Sequence, residues 1–199
     1  MKALTTAESL QYAQQAGRGH LNSLEILLRS QVEGKTLEVG AGAGISAGTG
    51  TIIKSSVDRV GGIIKTAILI DLTGLSSSAA GDIIGVEAAA NCHLGRITKA
   101  RNGTIFSGRM TCLEAPGTGE PDIDAYSATE ETGTEDAPVA GLTETALQTA
   151  AGDWAIGTVR AFTGLPADDE YVYLVGSGAG TNAVYTAGKF LIELEGYDE

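Results

Sequence analysis

A chain of 199 residues, 43% hydrophobic and with a net charge of −12, is long enough to bury a core without covalent staples. Its two cysteines are too few for a disulfide framework. The charge is lopsided: residues 1–109 hold 11 Lys/Arg against 8 Asp/Glu, and residues 110–199 hold 2 against 17, which argues against nucleic acid and anionic membranes as partners.

The chain opens without a basic stretch leading into an apolar run, and no window holds about 18 apolar residues. The expectation is a protein made in a reducing cytoplasm, with its thiols free. Residues 1–39 read as a helical N-terminal arm. Thr5-Thr6-Ala7-Glu8 has capping-box spacing, and Leu10 and Ala13 follow on a narrow apolar stripe. Asn22-Ser23-Leu24-Glu25 repeats the signal, with Leu24, Leu27 and Leu28 behind it. Helices this short need a docking partner. The candidate partner-binding residues are therefore Leu10, Ala13, Leu24, Leu27 and Leu28, facing the body of the protein or another chain.

Residues 40–50, GAGAGISAGTG, read as a flexible glycine-rich connector. From residue 51 to 199 the signals are those of strands. Ile52–Val60 is one. Ile63–Leu72 is the clearest: Ile64, Thr66, Ile68, Ile70 and Leu72 alternate with Lys65 and Asp71, the period of a half-buried strand. Ile83–Val86 and Leu94–Lys99 are shorter. Arg101-Asn102-Gly103 reads as a hairpin turn, and Thr104–Leu113 as a strand with Phe106, Met110 and Cys112 on one side. Asp122–Tyr126 reads as an edge strand guarded by acidic side chains. Glu130–Asp136 is an acidic loop, and Leu142–Ala151 reads as a helix. Ala155–Phe162, Glu170–Val175 and Val184–Leu194 complete the set. In the last, Phe190, Ile192 and Leu194 alternate with Lys189, Glu193 and Glu195, making it the natural distant partner of Ile63–Leu72. Eight to ten strands with few helices predict an all-β fold, a β-sandwich or jelly roll.

A few chemical motifs stand within this frame. Thr36–Gly44, TLEVGAGAG, places an acidic residue and a Gly-x-Gly-x-Gly run after a short apolar stretch, as in S-adenosylmethionine-dependent methyltransferases. The helix that should follow is missing, because glycines and β-branched residues come next. Cys92-His93, with His20 and Cys112, lacks paired metal-ligand spacing. Neither histidine lies near a nucleophile elbow. Asp122/Asp124 and Asp168/Asp169 are pairs that could bind calcium in a loop, although they lack EF-hand spacing. The sequence thus predicts no enzyme, no cofactor and no metal site.

Four stretches point further: Gly42–Leu75, Ala100–Pro116, Asp122–Gly133 and Tyr185–Gly196. Through them the body resembles a family of virion proteins of tailed, mostly marine, bacteriophages. The resemblance implies a non-enzymatic structural role on the capsid surface, most simply as a head decoration (cement) protein. It further implies a major capsid protein as partner and a homo-oligomer, expected as a trimer. A tail or fibre component with a glycan-binding sandwich is the alternative.

Overall fold

The computed structural model describes residues 39–149, 152–178 and 180–197. Two antiparallel sheets make a β-sandwich. The first has five strands: β1 (Ile52–Val60), β2 (Ile63–Asp71), β11 (Ala187–Tyr197), β5 (Thr104–Gly117) and β8 (Val159–Ala161), in that spatial order. The second has four: β4 (Gly95–Ile97), β9 (Glu170–Gly176), β6 (Ile123–Ala128) and β7 (Glu144–Gln148). A small ribbon pairs β3 (Ser76–Ser77) with β10 (Ala183–Val184). The only regular helical pieces among the described residues are single turns: α1 (Ala43–Ser46), α2 (Lys99–Asn102) and a 3-10 turn at Val139–Gly141.

The first sheet grows from the alternating strands. β1 and β2 form a hairpin closed by Val60↔Ile63 around Gly61-Gly62. Gly61 has φ +65°, a conformation a two-residue hairpin loop needs and glycine supplies without strain. β2 then pairs in full register with β11, with Ile68 opposite Ile192 and Ile70 opposite Phe190. These side chains are completely buried, together with Met110 and Cys112 of β5. Ile123, Ala125, Val172 and Leu174 enter the same core from the second sheet. Trp154 ties the layers together: its ring meets Phe190 edge-on at 5.3 Å, and its Nε1 donates to Ile123 O at 2.8 Å.

Several segments differ from the sequence reading, each for a physical reason. Leu142–Ala151, expected to be a helix, contains β7. Its Thr145 and Leu147 alternate with the exposed Glu144 and Ala146, and pairing with β6 supplies the backbone hydrogen bonds a helix would have made. β6 is not an edge strand but lies between β9 and β7, so Asp122 and Asp124 are buried rather than guarding an edge. Arg101-Asn102-Gly103 closes no hairpin. It ends α2, which carries the chain from β4 in one sheet to β5 in the other. Asn102 is the strut there: it donates to Thr66 Oγ1 at 2.7 Å and accepts from Thr98 N at 2.9 Å. Phe106 faces out, not in with Met110 and Cys112. A register shift between Glu195↔Ser107 and Gly196↔Ile105 makes Phe106 the extra residue of a β-bulge, which reverses the alternation.

The stretch 40–50, expected to be a flexible connector, is packed into the body. Val39 and Ile45 belong to the core. Gly42 N donates to His93 O at 2.9 Å, and Gly44 N to Asn91 O at 3.2 Å. A Cβ on Gly42 would lie 1.9 Å from Asn91 O, and one on Gly44 would lie 2.4 Å from Cys92 Sγ. The glycines are there so that two backbone segments can touch.

Candidate assembly surface

The pairing registers arrange the outward side chains of the five-stranded sheet in rows across the strands. One row runs Asp71, Lys189, Glu114, and the next Lys54, Leu69, Leu191, Thr111, Val159. Then come Ser56, Ala67, Glu193, Arg109, Ala161, followed by Asp58, Lys65, Glu195, Ser107. The side chains on this face alternate with the buried set because successive Cβ atoms point to opposite faces.

Most charges in these rows are cross-paired. Arg109 Nε donates to Glu193 Oε2 at 2.6 Å, and Lys65 Nζ lies 3.6 Å from Glu195 Oε1. Lys189 Nζ bridges Glu114 Oε2 and Asp71 Oδ2, the latter at 3.3 Å. The Arg109 hydrogen bond holds the Glu193 carboxyl below its usual range. For Asp71, partial burial pushes the other way, but hydrogen bonds from Thr73 and the Lys189 ammonium outweigh it, so its carboxyl too sits low. Both stay ionised well into acid. The small side chains of Ser56, Ala67 and Ser107 leave a depression of about 250 Å³ beside the Arg109–Glu193 pair.

Apolar groups frame the charged rows. Val60 (61% exposed), Phe106 and Tyr197 lie at the hairpin end, with the Phe106 and Tyr197 rings 6.2 Å apart. At the β8 side, Val159 and the nearby Ile156 (74% exposed) stand in solvent. The face thus carries fixed charges of both signs at its centre and exposed apolar groups at its margins.

Leu10, Ala13, Leu24, Leu27 and Leu28 lie outside the described residues, as do His20 and Glu38. Cys92 and Cys112 are free, buried thiols. Burial pushes the Cys92 thiol up to about 11, which makes it unreactive. His93 is enclosed, with Tyr171 edge-on at 4.8 Å and Tyr173 at 6.2 Å. Burial holds its imidazole below the ordinary value, against the opposing pull of Glu131. Asp122 Oδ2 accepts from Gly152 N at 2.9 Å. Asp168 accepts from Lys99 N at 2.6 Å, and Asp169 pairs with Arg96 at 3.0 Å. No group of three or more metal-ligating side chains converges among the described residues. The space a cofactor would need beside Gly42 and Gly44 is filled by residues 90–93 of the chain itself.

Two features carried no signal in the sequence. Glu120 is buried and ties four segments: its carboxylate accepts from Asp122 N and Thr181 N, its N–H donates to Ser77 Oγ, and its carbonyl accepts from Tyr185 Oη. Arg160 stacks its guanidinium 4.1 Å over the Trp154 ring. Both depend on partners remote in sequence.

No protein-family model matches this chain, and neither a curated protein nor a solved structure gave a significant match.

Proposed function

We propose that this protein is a non-enzymatic structural component of a tailed-phage virion, acting as a decoration protein that assembles on the head shell beside the major capsid protein. One observation carries the reading. Of the four stretches that resemble phage virion proteins, Asp122–Gly133 holds β6 of the four-stranded sheet, while the other three, distant in sequence, meet in space: Gly42–Leu75 supplies β1 and β2, Ala100–Pro116 most of β5, and Tyr185–Gly196 most of β11. Together they make four adjacent strands of one sheet. A resemblance concentrated on neighbouring strands fits a surface kept for contact. The face those strands present is the charged and apolar-bordered one described above, a chemistry suited to adhesion.

The test is to find the protein in a particle. Cryo-electron microscopy of virions from the encoding phage should show the sandwich as a regular knob on the head surface. Mass spectrometry of the same particles should give a copy number comparable to that of the capsid protein. Density confined to the tail, with glycan binding by the isolated protein, would move the assignment to a fibre component. Absence from purified particles would overturn it.

A further inference from the structure

We infer that the protein forms a two-fold dimer by antiparallel pairing of β1 with β1 of a second copy, centred on Ser56, so that the two five-stranded sheets run on as one. This does not rest on the virion assignment, and it gives a dimer where the resemblance implied a trimer.

Three observations lead here. First, β1 is a long strand at the end of its sheet. It has nine residues and, among the described residues, pairs only with β2. The other three edges are short or covered. β8 and β4 have three residues each, and β4 is flanked by the chain at residues 39–42 through Arg96 N to Val39 O and Gly42 N to His93 O. Thr163 N and Gly164 N donate to Leu147 O of β7. Among the described residues, none beyond β2 bonds to the β1 backbone. Folded proteins seldom leave such an edge unprotected.

Second, the outward face of β1 reads the same backwards with the charges reversed: Ile52, Lys54, Ser56, Asp58, Val60. Antiparallel pairing about Ser56 sets Lys54 against Asp58 of the other copy, twice, and Ile52 against Val60, twice. Neither Lys54 nor Asp58 has an ion-pair partner among the described residues. Ile52 and Val60 are among the exposed large apolar side chains. The pairing would satisfy all four at once.

Third, the backbone phase agrees. Val60↔Ile63 closes a two-residue hairpin loop and is therefore a hydrogen-bonded pair, so the even-numbered residues of β1 bond towards β2. The N–H and C=O groups of Ile53, Ser55, Val57 and Arg59 then point away from the sheet. In the proposed register Ile53 meets Arg59 and Ser55 meets Val57 as hydrogen-bonded pairs. Lys54–Asp58 and Ser56–Ser56 fall on non-hydrogen-bonded pairs, where side chains approach most closely. The two-fold axis runs perpendicular to the sheet, so both charged faces end on the same side.

The experiment uses the full chain. Sedimentation equilibrium should show a concentration-dependent dimer. Asp58→Lys should convert it to monomer, and the double exchange Lys54→Asp with Asp58→Lys should restore the dimer. Ser56→Cys should give a disulfide-linked dimer on mild oxidation, since Cα atoms about 4.5 Å apart in such a pair suit a disulfide. Ile52→Cys, which would face residue 60, should not cross-link. The buried native Cys92 and Cys112 provide a silent background. A wild type that stays monomeric at every concentration would overturn the proposal. So would Ser56→Cys cross-linking no faster than Ile52→Cys, or a dimer indifferent to the charge of residue 58.

Discussion

β2 and β9 are both central strands, yet they are buried in opposite styles. In β2 the alternation is clean: Ile64, Thr66, Ile68 and Ile70 are buried, while the residues between them stay accessible up to Leu69. In β9, Val172, Tyr173, Leu174 and Val175 are all buried. One face of the five-stranded sheet therefore remains in solvent, whereas the four-stranded sheet is covered on both sides. Tyr173 packs there against His93, with Ile83 and Gly133 close to its ring, and its hydroxyl donates to Glu130 O at 2.6 Å. The charges follow suit. On the five-stranded sheet most are exposed and paired across strands, with Lys54 and Asp58 of β1 outside those pairs. Around the four-stranded sheet Glu120, Asp122, Asp124 and Glu170 are buried and held largely by backbone N–H and hydroxyl groups. The same residue types thus serve as a wet ladder in one place and as internal ties in the other.

Substitutions should separate the two styles, and the largest effect belongs to the core they share. Ile192→Asp places a carboxylate at a fully buried site facing Ile68. The cost is several kcal/mol against a total stability of about 5–15 kcal/mol, so the variant should lack a cooperative melt. Glu120→Gln comes next. It keeps the shape but turns an amide towards one of two N–H donors, and should cost about 2–3 kcal/mol in denaturant unfolding. A loss near zero would mean that the tie is not structural.

His93 gives the covered sheet a pH dependence near neutrality, whereas the ladder carboxylates Glu193 and Asp71, held low, lose their stabilisation only in acid. Its folded-state value lies below the ordinary 6.5 because of burial. Below pH 6.5 the unfolded chain takes up a proton that the folded chain refuses, so stability is lost as pH falls from 6.5 towards the folded-state value. The melting temperature should decline over that window, and His93→Phe, which preserves the edge contacts with Tyr171 and Tyr173, should flatten the decline. Asp124 is the opposite case. Burial, with Asp122 nearby, raises its carboxyl despite help from Ser177 and Arg160, and Oδ1 has no partner among the described residues. Keeping it ionised costs stability at neutral pH, a cost relieved as pH falls through the raised folded-state value. Asp124→Asn should therefore gain about 1 kcal/mol at pH 7, with the gain shrinking in acid. The smallest effect belongs to the ladder. Arg109→Gln breaks an exposed pair with Glu193 and should leave the melting temperature within error of wild type, at low or high salt.

Period-two patterning by itself determined β2 and β11, their inward residues Ile68, Ile70, Phe190 and Ile192, and the all-β class, because burial on one face writes itself into consecutive residues. Tertiary structure alone decided the rest. Whether Thr145 and Leu147 join a strand depends on β6 lying beside them. Whether Asp122 and Asp124 guard an edge or sit inside depends on β7 covering them. Whether Gly42 and Gly44 loosen the chain or let it pack depends on Asn91 and Cys92 arriving across from them. The reversal at Phe106 comes from one unpaired residue in the β5–β11 register. Local periodicity records which way a side chain faces, but pairing, bulges and close backbone contacts belong to two segments at once, and neither carries the information alone.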